Sequence, residues 1–531
     1  MLRLIGLWAL VCAGLQAQSY LGPGHTTAAC RDDDGDGYGV GDCPNGPDAD
    51  DADPSVNTTE SVLSKYGSIS AFLLHLGYSP GGAVYVSPTG NDKTCARQKD
   101  IGVTTSPCAT HTKAESLLHS GDVLFWRGGT YTETKTIFAI GGTASHATIY
   151  MAYPGEKPIL DYSAQGDRDG FRGDGFSYYT LDGLVFKGPS NGYGLATQQY
   201  AAVAGVTVRN TEVNRFYDNV FFMNNMTGTL IEHSVFRNAD INGEHNLYIG
   251  NSANPSPNLT IRNNIIYAAG EGGGHNIHLN GRFPNATVSG NIMYQALNSC
   301  LGLQMGVSHS LFENNICFTT SGHSPIFLYD YQDSNPLIKP YDQNYNTFRN
   351  NTFYYDGAYY HAGYVACDQR AYWVRDGSDA GGHDLGHNTF DNNIFFTACT
   401  DGSSSALRYD TDAGGAGGQK WLATDTWRNN IIATATRYSD GFVRIGNLKQ
   451  DAFINMTYAQ FDAAIAAGKG TNLQSNPMFA AANPNWFKSP QLFDLRTRSG
   501  SPANGAGLSS DAPAKDIRGT VRGARPDIGA Y

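Results

Sequence analysis

The sequence is short of charge, and what charge it has is short of cations. Asp, Glu, Lys and Arg make up 16% of its 531 residues, and 36 Lys+Arg face 48 Asp+Glu, for a net charge of −12. A chain this acidic lacks the basic footprint that a phosphate backbone requires, which excludes nucleic acid as its main partner. An acidic glycan is not excluded, because a local basic cleft or a bound cation offsets the repulsion. No Cys-x-x-Cys occurs, which excludes zinc sites of that spacing. Beyond the first residues no stretch reaches 18 apolar positions, so no membrane-spanning helix is expected. The low charge together with 12% aromatic residues excludes a largely disordered chain. With 63 glycines and recurrent Asn and Tyr, the composition also argues against a helix-rich fold.

The chain opens with MLRLIGLWALVCAGLQAQSY: basic Arg3, an apolar stretch from Leu4 to Leu15, then the small-residue site Leu15-Gln16-Ala17. That is the pattern of a secretory signal cleaved after Ala17, and it implies a secreted or extracellular protein. Cys12 leaves with the signal. Cys30, Cys43, Cys95, Cys108, Cys300, Cys317, Cys367 and Cys399 remain, an even number that suits an oxidising compartment. Neighbour pairing would join them in that order, although sequence leaves other connectivities open.

Residues 30–54 read CRDDDGDGYGVGDCPNGPDADDADP. Asp32, Asp34 and Asp36 alternate ahead of Gly37, an arrangement that points carboxylate oxygens at one centre, as a hard cation such as calcium requires. Asp42 and the second cluster of Asp48, Asp50, Asp51 and Asp53 supply further ligands. The EF-hand spacing is only partly met, since Cys43 stands at the twelfth position from Asp32. Over about 25 residues the pattern resembles thrombospondin type 3-like calcium repeats. After it, Thr59 or Ser61 caps a short predicted helix whose Phe72, Leu73, Leu74 and Leu76 form an apolar face, suited to plugging the end of a larger domain.

From Ala83 one theme recurs: an alternating apolar strand, often ending in Asn-Asn, then another apolar residue. LTIRNNIIY (259–267), SLFENNICF (310–318) and NTFRNNTFY (346–354) are instances. The matched positions Gly183, Asn210, His233, Asn263, Gly290 and Asn314 lie 27, 23, 30, 27 and 24 apart, and Asn350, Asn392 and Asn429 continue the series at longer spacing. A period near 25 with several short strands per turn predicts a solenoid of β-strands. Asn tolerates left-handed corners, and stacked Asn side chains bond coil to coil, so these residues are read as structural. A second strand follows each Asn-Asn strand. Its residues Val220, Leu247, Ile277, Leu303 and Ile326, with Phe222, Ile249, Leu279, Met305 and Leu328, are expected to face the core. Phe221, Tyr248, His278, Gln304 and Phe327 then stack outward, and Asp218, His245 and His275 precede the strands.

These residues carry a second resemblance. From Ala83 to Tyr531, including the opening YVSPTGND and the closing RPDIGAY, the chain is similar to the secreted pectate-lyase-like superfamily. The resemblance implies an all-β, right-handed single-stranded parallel β-helix. Together with the signal, the acidic segment and the helical segment read above, it gives an expected organisation of signal peptide 1–17, acidic calcium-binding module 18–56, helical cap or linker 57–80, β-helix 81–490 and C-terminal coil and cap 491–531. It does not fix the activity, since lyases, hydrolases, epimerases and adhesins share the fold.

Chemical groups concentrate between 240 and 282. For a lyase on a uronate polymer, His245, His275 or His278 is the candidate base and Tyr248 the acid, while calcium or Arg282 neutralises the carboxylate. Asp240 and Glu244 join this catalytic set. Phe221, Gln304, Phe327 and Tyr329 are read as substrate-binding, with Tyr331, Tyr354 and Tyr355 extending the aromatic supply. For a hydrolase, two of Asp218, Asp240, Glu244 and Glu271 would flank the bond. The polygalacturonase trio of Asn-Thr-Asp, Gly-Asp-Asp and Gly-His-Gly is missing from the repeats, and no lysine falls in the His-rich coils. The resulting reading is a secreted carbohydrate-active protein that binds and cleaves an extracellular polysaccharide by β-elimination, with calcium as cofactor and no nucleic-acid partner. The alternatives are a non-catalytic adhesin or structural protein and a glycoside hydrolase.

Overall fold

Three long, largely parallel sheets run from Ala83 to Met456, built from one short strand of each sheet per coil. They are described from a computed structural model covering residues 30–531 apart from 190, 198–201, 224, 240–244, 252–253, 271–273, 321–323, 331–340, 357, 360–363, 366–370, 377–382, 399–404, 412–416, 436–441, 448–451, 466–470 and 482–493. The first sheet stacks twelve strands from Ala83–Val86 to Thr426–Arg428, and the second eleven from Gly129–Thr132 to Ile431–Thr434. The third stacks twelve, from Ile137–Phe138 to an antiparallel closing pair, Val443–Asn447 with Ala452–Met456. This is the all-β parallel β-helix expected from the repeat.

The recurrent Asn-Asn pairs build its corner. Gly183, Asn210, His233, Asn263, Gly290, Asn314, Asn350, Asn392 and Asn429 all take positive φ, between 48° and 72°. Gly and Asn occupy that region at least cost. The residue after the corner turns inward. Asn264, Asn291, Asn315, Asn351, Asn393, Asn430 and Asn472 form one buried ladder, each side-chain amide donating to the next carbonyl at 2.9–3.1 Å. A shorter ladder, Asn219–Asn246–Asn276, holds the corner before the third sheet at 2.7 and 2.9 Å.

The first sheet's outer column alternates in sign. Asp182, Arg209, Glu232 and Arg262 face one another in register, and Glu313, Arg349, Asp391 and Arg428 repeat the alternation further along. Opposite charges in register favour the pairing, so this strip neutralises itself.

Two expectations about the ends change. Thr58 and Ser68 cap helices Thr59–Tyr66 and Ile69–His75, whose Val62, Ile69, Phe72 and Leu73 pack on Ala83, Tyr85, Phe125 and Ile149. The pair therefore covers the flank of the first sheet rather than the end of the solenoid. The period of two turns Val84, Val86, Leu124 and Trp126 into the core and leaves Tyr85 and Phe125 outside, where they need cover. Ala114, in the helix His111–Glu115, and Leu118 just after it join the main core instead. Among the described residues, the final ones add no strand to the three long sheets, contrary to the expected last coil. Ala503, Ile528 and Ala530 share a cluster with Ile316, Ile394 and Ile431 along the second sheet. The corner asparagines fasten this returning strap. The side-chain amides of Asn314, Asn392 and Asn429 donate to the carbonyls of Lys515, Leu508 and Ala506 at 2.8–2.9 Å.

Disulfides join Cys30–Cys43, Cys95–Cys108 and Cys300–Cys317, as neighbour pairing anticipates. Cys367, Cys399 and the signal peptide lie outside the described residues. Among the described residues no helix is long and apolar enough to cross a membrane.

Candidate functional site

The outer face of the third sheet gathers the chemistry. Strands Val220–Phe222, Leu247–Asn251, Ile277–Gly281, Leu301–Gln304 and Ile326–Asp330 lie side by side. Their register sets Phe221 beside Tyr248, Tyr248 beside His278, His278 beside Gly302 and Gly302 beside Phe327. Leu301 and Leu303 fill the core positions expected of Leu303 and Met305, a slip of two residues. Gln304 is therefore not in the His278 column; it faces Asn280 and Tyr329. The cause is His275. Its ring lies over Gly302, where an added Cβ would stand 2.6 Å from Nδ1, so only glycine fits beneath it.

Three histidines and two tyrosines meet there. The His275 backbone N–H donates to His245 Nδ1 at 3.0 Å, so His245 carries its proton on Nε2. That nitrogen lies 3.1 Å from His278 Nδ1, which therefore accepts and leaves the His278 proton on Nε2. His278 Nε2 is 3.0 Å from Gln304 Oε1 and 2.8 Å from the Tyr329 hydroxyl oxygen. The chain of bonds thus has one polarity, from the His275 backbone to Tyr329. From the strand of His278, Asn280 Nδ2 donates across to the Tyr248 hydroxyl on the preceding coil at 2.7 Å. Rings stack along the face, Tyr193 on Phe221 at 4.2 Å and Phe327 on Tyr329 at 4.3 Å.

His278 is 5% exposed. Burial, with the neighbouring His245 second, pushes its pKa well below the usual imidazole value and keeps it neutral. The unfolded chain takes up this proton below about pH 6.5 while the folded chain does not. Below that pH the unfolded state binds more protons, so stability falls as pH falls. The expected slope from this group is up to about 1.4 kcal/mol per pH unit, present in urea titrations of the wild type and missing in His278→Leu.

The other predicted residues separate. Arg282 leaves the end of its strand and lies over the Tyr341 ring at 4.4 Å. Asp218 is buried and accepts the His245 backbone N–H at 2.6 Å. Tyr354 and Tyr355 belong to the second sheet and are buried away from this face. Asp240, Glu244, Glu271 and Tyr331 lie outside the described residues. Sequence reading passed over Asn280 and Gly302, and over Arg375, Arg408 and Arg444 further along the same face. The alternation in Leu407-Arg408-Tyr409-Asp410 and Val443-Arg444-Ile445 was the available signal for the last two.

The N-terminal module docks on the flank. Asp42 reaches Arg237 at 3.1 Å, Lys157 donates to the Gly41 carbonyl at 2.5 Å, and Asp33 pairs with His233. Two carboxylate groups form within it, Asp32–Asp34–Asp36 and Asp34–Asp48–Asp51, each with ligand-capable oxygens within 4.8 Å of one another. Asp50 turns to His75 and Asp53 to Lys65, because those side chains stand on the adjacent helices. In Asp34, Asp48 and Asp51 one oxygen accepts a backbone N–H, and the other is buried without a hydrogen bond. Burial and, after it, mutual repulsion raise these acids to about 6, 7 and 9 respectively. Such orphaned oxygens fit a hard cation.

Comparison with known proteins bears on the fold. A family model described as Pel9A-like, right handed beta helix region, matches residues 84–255. The chain path is similar to that of pectate lyase Pel9A, at 14% identity over 86% of this chain and 97% of that one, TM-score 0.45. It is similar to XylC in complex with xylose, at 11% identity over 85% and 98%, TM-score 0.43. It is also similar to an alginate lyase from Paenibacillus sp. str. FPU-7, at 16% identity over 69% and 97%, TM-score 0.33. No curated protein matches. The chain is a right-handed parallel β-helix.

Proposed function

We propose that this is a secreted polysaccharide lyase that binds a uronate-containing polymer across the third sheet and cleaves it by β-elimination. The observation that carries the reading is the one-way chain His275–His245–His278–Tyr329, which ends in an imidazole N–H shared between the Tyr329 oxygen and Gln304 Oε1. A donor there favours the phenolate of Tyr329, the form that accepts a proton. The base role therefore passes from histidine to Tyr329. Tyr329 removes the proton beside the uronate carboxylate, that C–H pair becomes the new C=C bond, and the bond to the leaving oxygen breaks. Tyr248, whose oxygen is held by Asn280, gives its phenolic proton to that oxygen. The aromatic rings on either side hold the sugar faces. The test is ultraviolet absorbance of unsaturated uronate on pectate, alginate and glycosaminoglycans, with a reducing-end assay alongside. Unsaturated product is expected. New reducing ends without it would mean hydrolysis, and neither would leave a binding protein.

In the N-terminal module, Asp32, Asp34, Asp36, Asp48 and Asp51 would hold calcium, which supplies charge neutralisation and rigidity rather than chemistry. With calcium, Asp48→Asn is expected to lower the protection of the module from proteolysis. With chelator the same change is expected to raise it above wild type, since folding raises the pKa of this acid and its charged form then costs stability at neutral pH. Limited proteolysis in both conditions checks the reversal.

A further inference from the structure

Gln304 stands where the hydrogen-bond chain ends, and it does there what Tyr329 cannot. The two-residue slip sets it between Asn280 and Tyr329 on neighbouring strands. It is 6% exposed, and its Oε1 lies 3.0 Å from His278 Nε2, which also meets the Tyr329 oxygen at 2.8 Å. A phenol both donates and accepts, so as a partner it tolerates the His278 proton on either nitrogen. A carboxamide oxygen only accepts, so Gln304 requires that proton on Nε2. At the far end the His275 backbone N–H only donates, to His245 Nδ1. The chain is thus bounded by a pure donor and a pure acceptor, and neither of them titrates. With the His275 end alone, a neutral Tyr329 would be free to turn its own O–H onto Nε2 and drive the proton to Nδ1, against His245. Among the described residues, the titratable rings packed against His278 are His245, His275, Tyr248 and Tyr329.

We propose that Gln304 is a positioning residue, which holds the His278 proton on Nε2 so that an N–H, and never a lone pair, faces the Tyr329 oxygen. This deepens the lyase reading and rests on it for the role of Tyr329, while the place of the His278 proton is measurable without turnover. It stands against the substrate-binding role that the sequence suggests for Gln304. A consequence follows for the reaction. The proton that Tyr329 takes from the sugar cannot pass to His278, because Nε2 already carries one. The Tyr329 O–H therefore turns away from the imidazole. The histidines orient the base and do not relay its proton.

The experiment joins nitrogen NMR of the full chain, labelled at histidine, to rates of unsaturated-uronate formation across pH. The His278 signals are those that His278→Leu removes. Gln304→Met deletes the acceptor at nearly the same length, and Gln304→Glu keeps one. Wild type and Gln304→Glu are expected to carry the His278 proton on Nε2, whereas Gln304→Met is expected to show a share of it on Nδ1. Gln304→Met is also expected to lose about tenfold in kcat at unchanged KM. Its acid limb moves to higher pH, since the neutral phenol gains Nε2 as an acceptor. Gln304→Glu sets a like charge beside the phenolate and is expected to raise that limb by about one to two units. A rise in KM at unchanged kcat returns Gln304 to substrate binding and overturns the proposal. So does a Gln304→Met chain that melts like wild type with the proton still on Nε2. Where Gln304→Met does not fold, an unmoved acid limb in Gln304→Glu overturns it. The change of tautomer without any unsaturated product keeps the role of Gln304 and removes the lyase reading.

Discussion

Tyr329→Phe is expected to lower kcat by a factor of about 10² to 10⁴ with little change in KM, because it removes the proton acceptor and leaves the stacking surface. The hydroxyl oxygen is the terminus of the hydrogen-bond chain through His278, and Phe327 still stacks beneath the ring. His278→Leu is the informative companion. It takes away the N–H that favours the phenolate, so Tyr329 ionises at higher pH. The acid limb of the kcat/KM profile then moves to higher pH, while activity returns in part under alkaline conditions. A catalytic base at His278 itself would give a different result, a pH-independent loss. Ultraviolet rates across pH, compared with thermal melts of the same variants, separate the two.

The second large effect concerns stability, and it distinguishes two neighbouring asparagines. Asn315 is fully buried and donates to the Val288 carbonyl at 2.8 Å and to Asn351 at 3.0 Å, while its oxygen accepts from Asn291. Asn315→Leu leaves the Val288 carbonyl and the Asn291 donors unsatisfied, which at about 1–3 kcal/mol per group amounts to roughly 3 kcal/mol or more. Asn314, one residue earlier, sits at φ 53° and reaches only the strap, donating to the Lys515 carbonyl and accepting from Arg522. Asn314→Gly keeps the left-handed corner available and is expected to cost about 1–2 kcal/mol. Denaturant titration of both variants tests the contrast, and equal losses would show that the buried ladder has no special weight.

That contrast shows where the sequence speaks. Every matched position of the repeat, from Gly183 to Asn429, takes the left-handed corner, because backbone strain restricts the choice to a few residue types and leaves a visible mark. Core columns such as Val220, Leu247 and Ile277 were legible for the same reason, since burial admits only apolar side chains. The slip at Leu301–Gln304 was not. Gly302 is dictated by the His275 ring from the preceding coil, a contact that no local pattern encodes. The flank position of the helices was equally hidden, because an apolar helix face states that it needs a partner without naming one. Arg375 escaped notice because the longer connection before Tyr372 interrupts the period that carried the reading so far.

The returning strap sets a limit on how this molecule can change in length. Solenoids ordinarily grow or shrink by whole turns, since each turn meets only its neighbours. Here the tail is pinned at successive turns, to Asn314, Asn392 and Asn429, with Asn350 bonded to Gly529 between them. One duplicated turn inside that stretch would carry the anchors apart and leave the tail too short to reach all four. The tail thus acts as a ruler, holding the number of turns constant between Asn314 and Asn429.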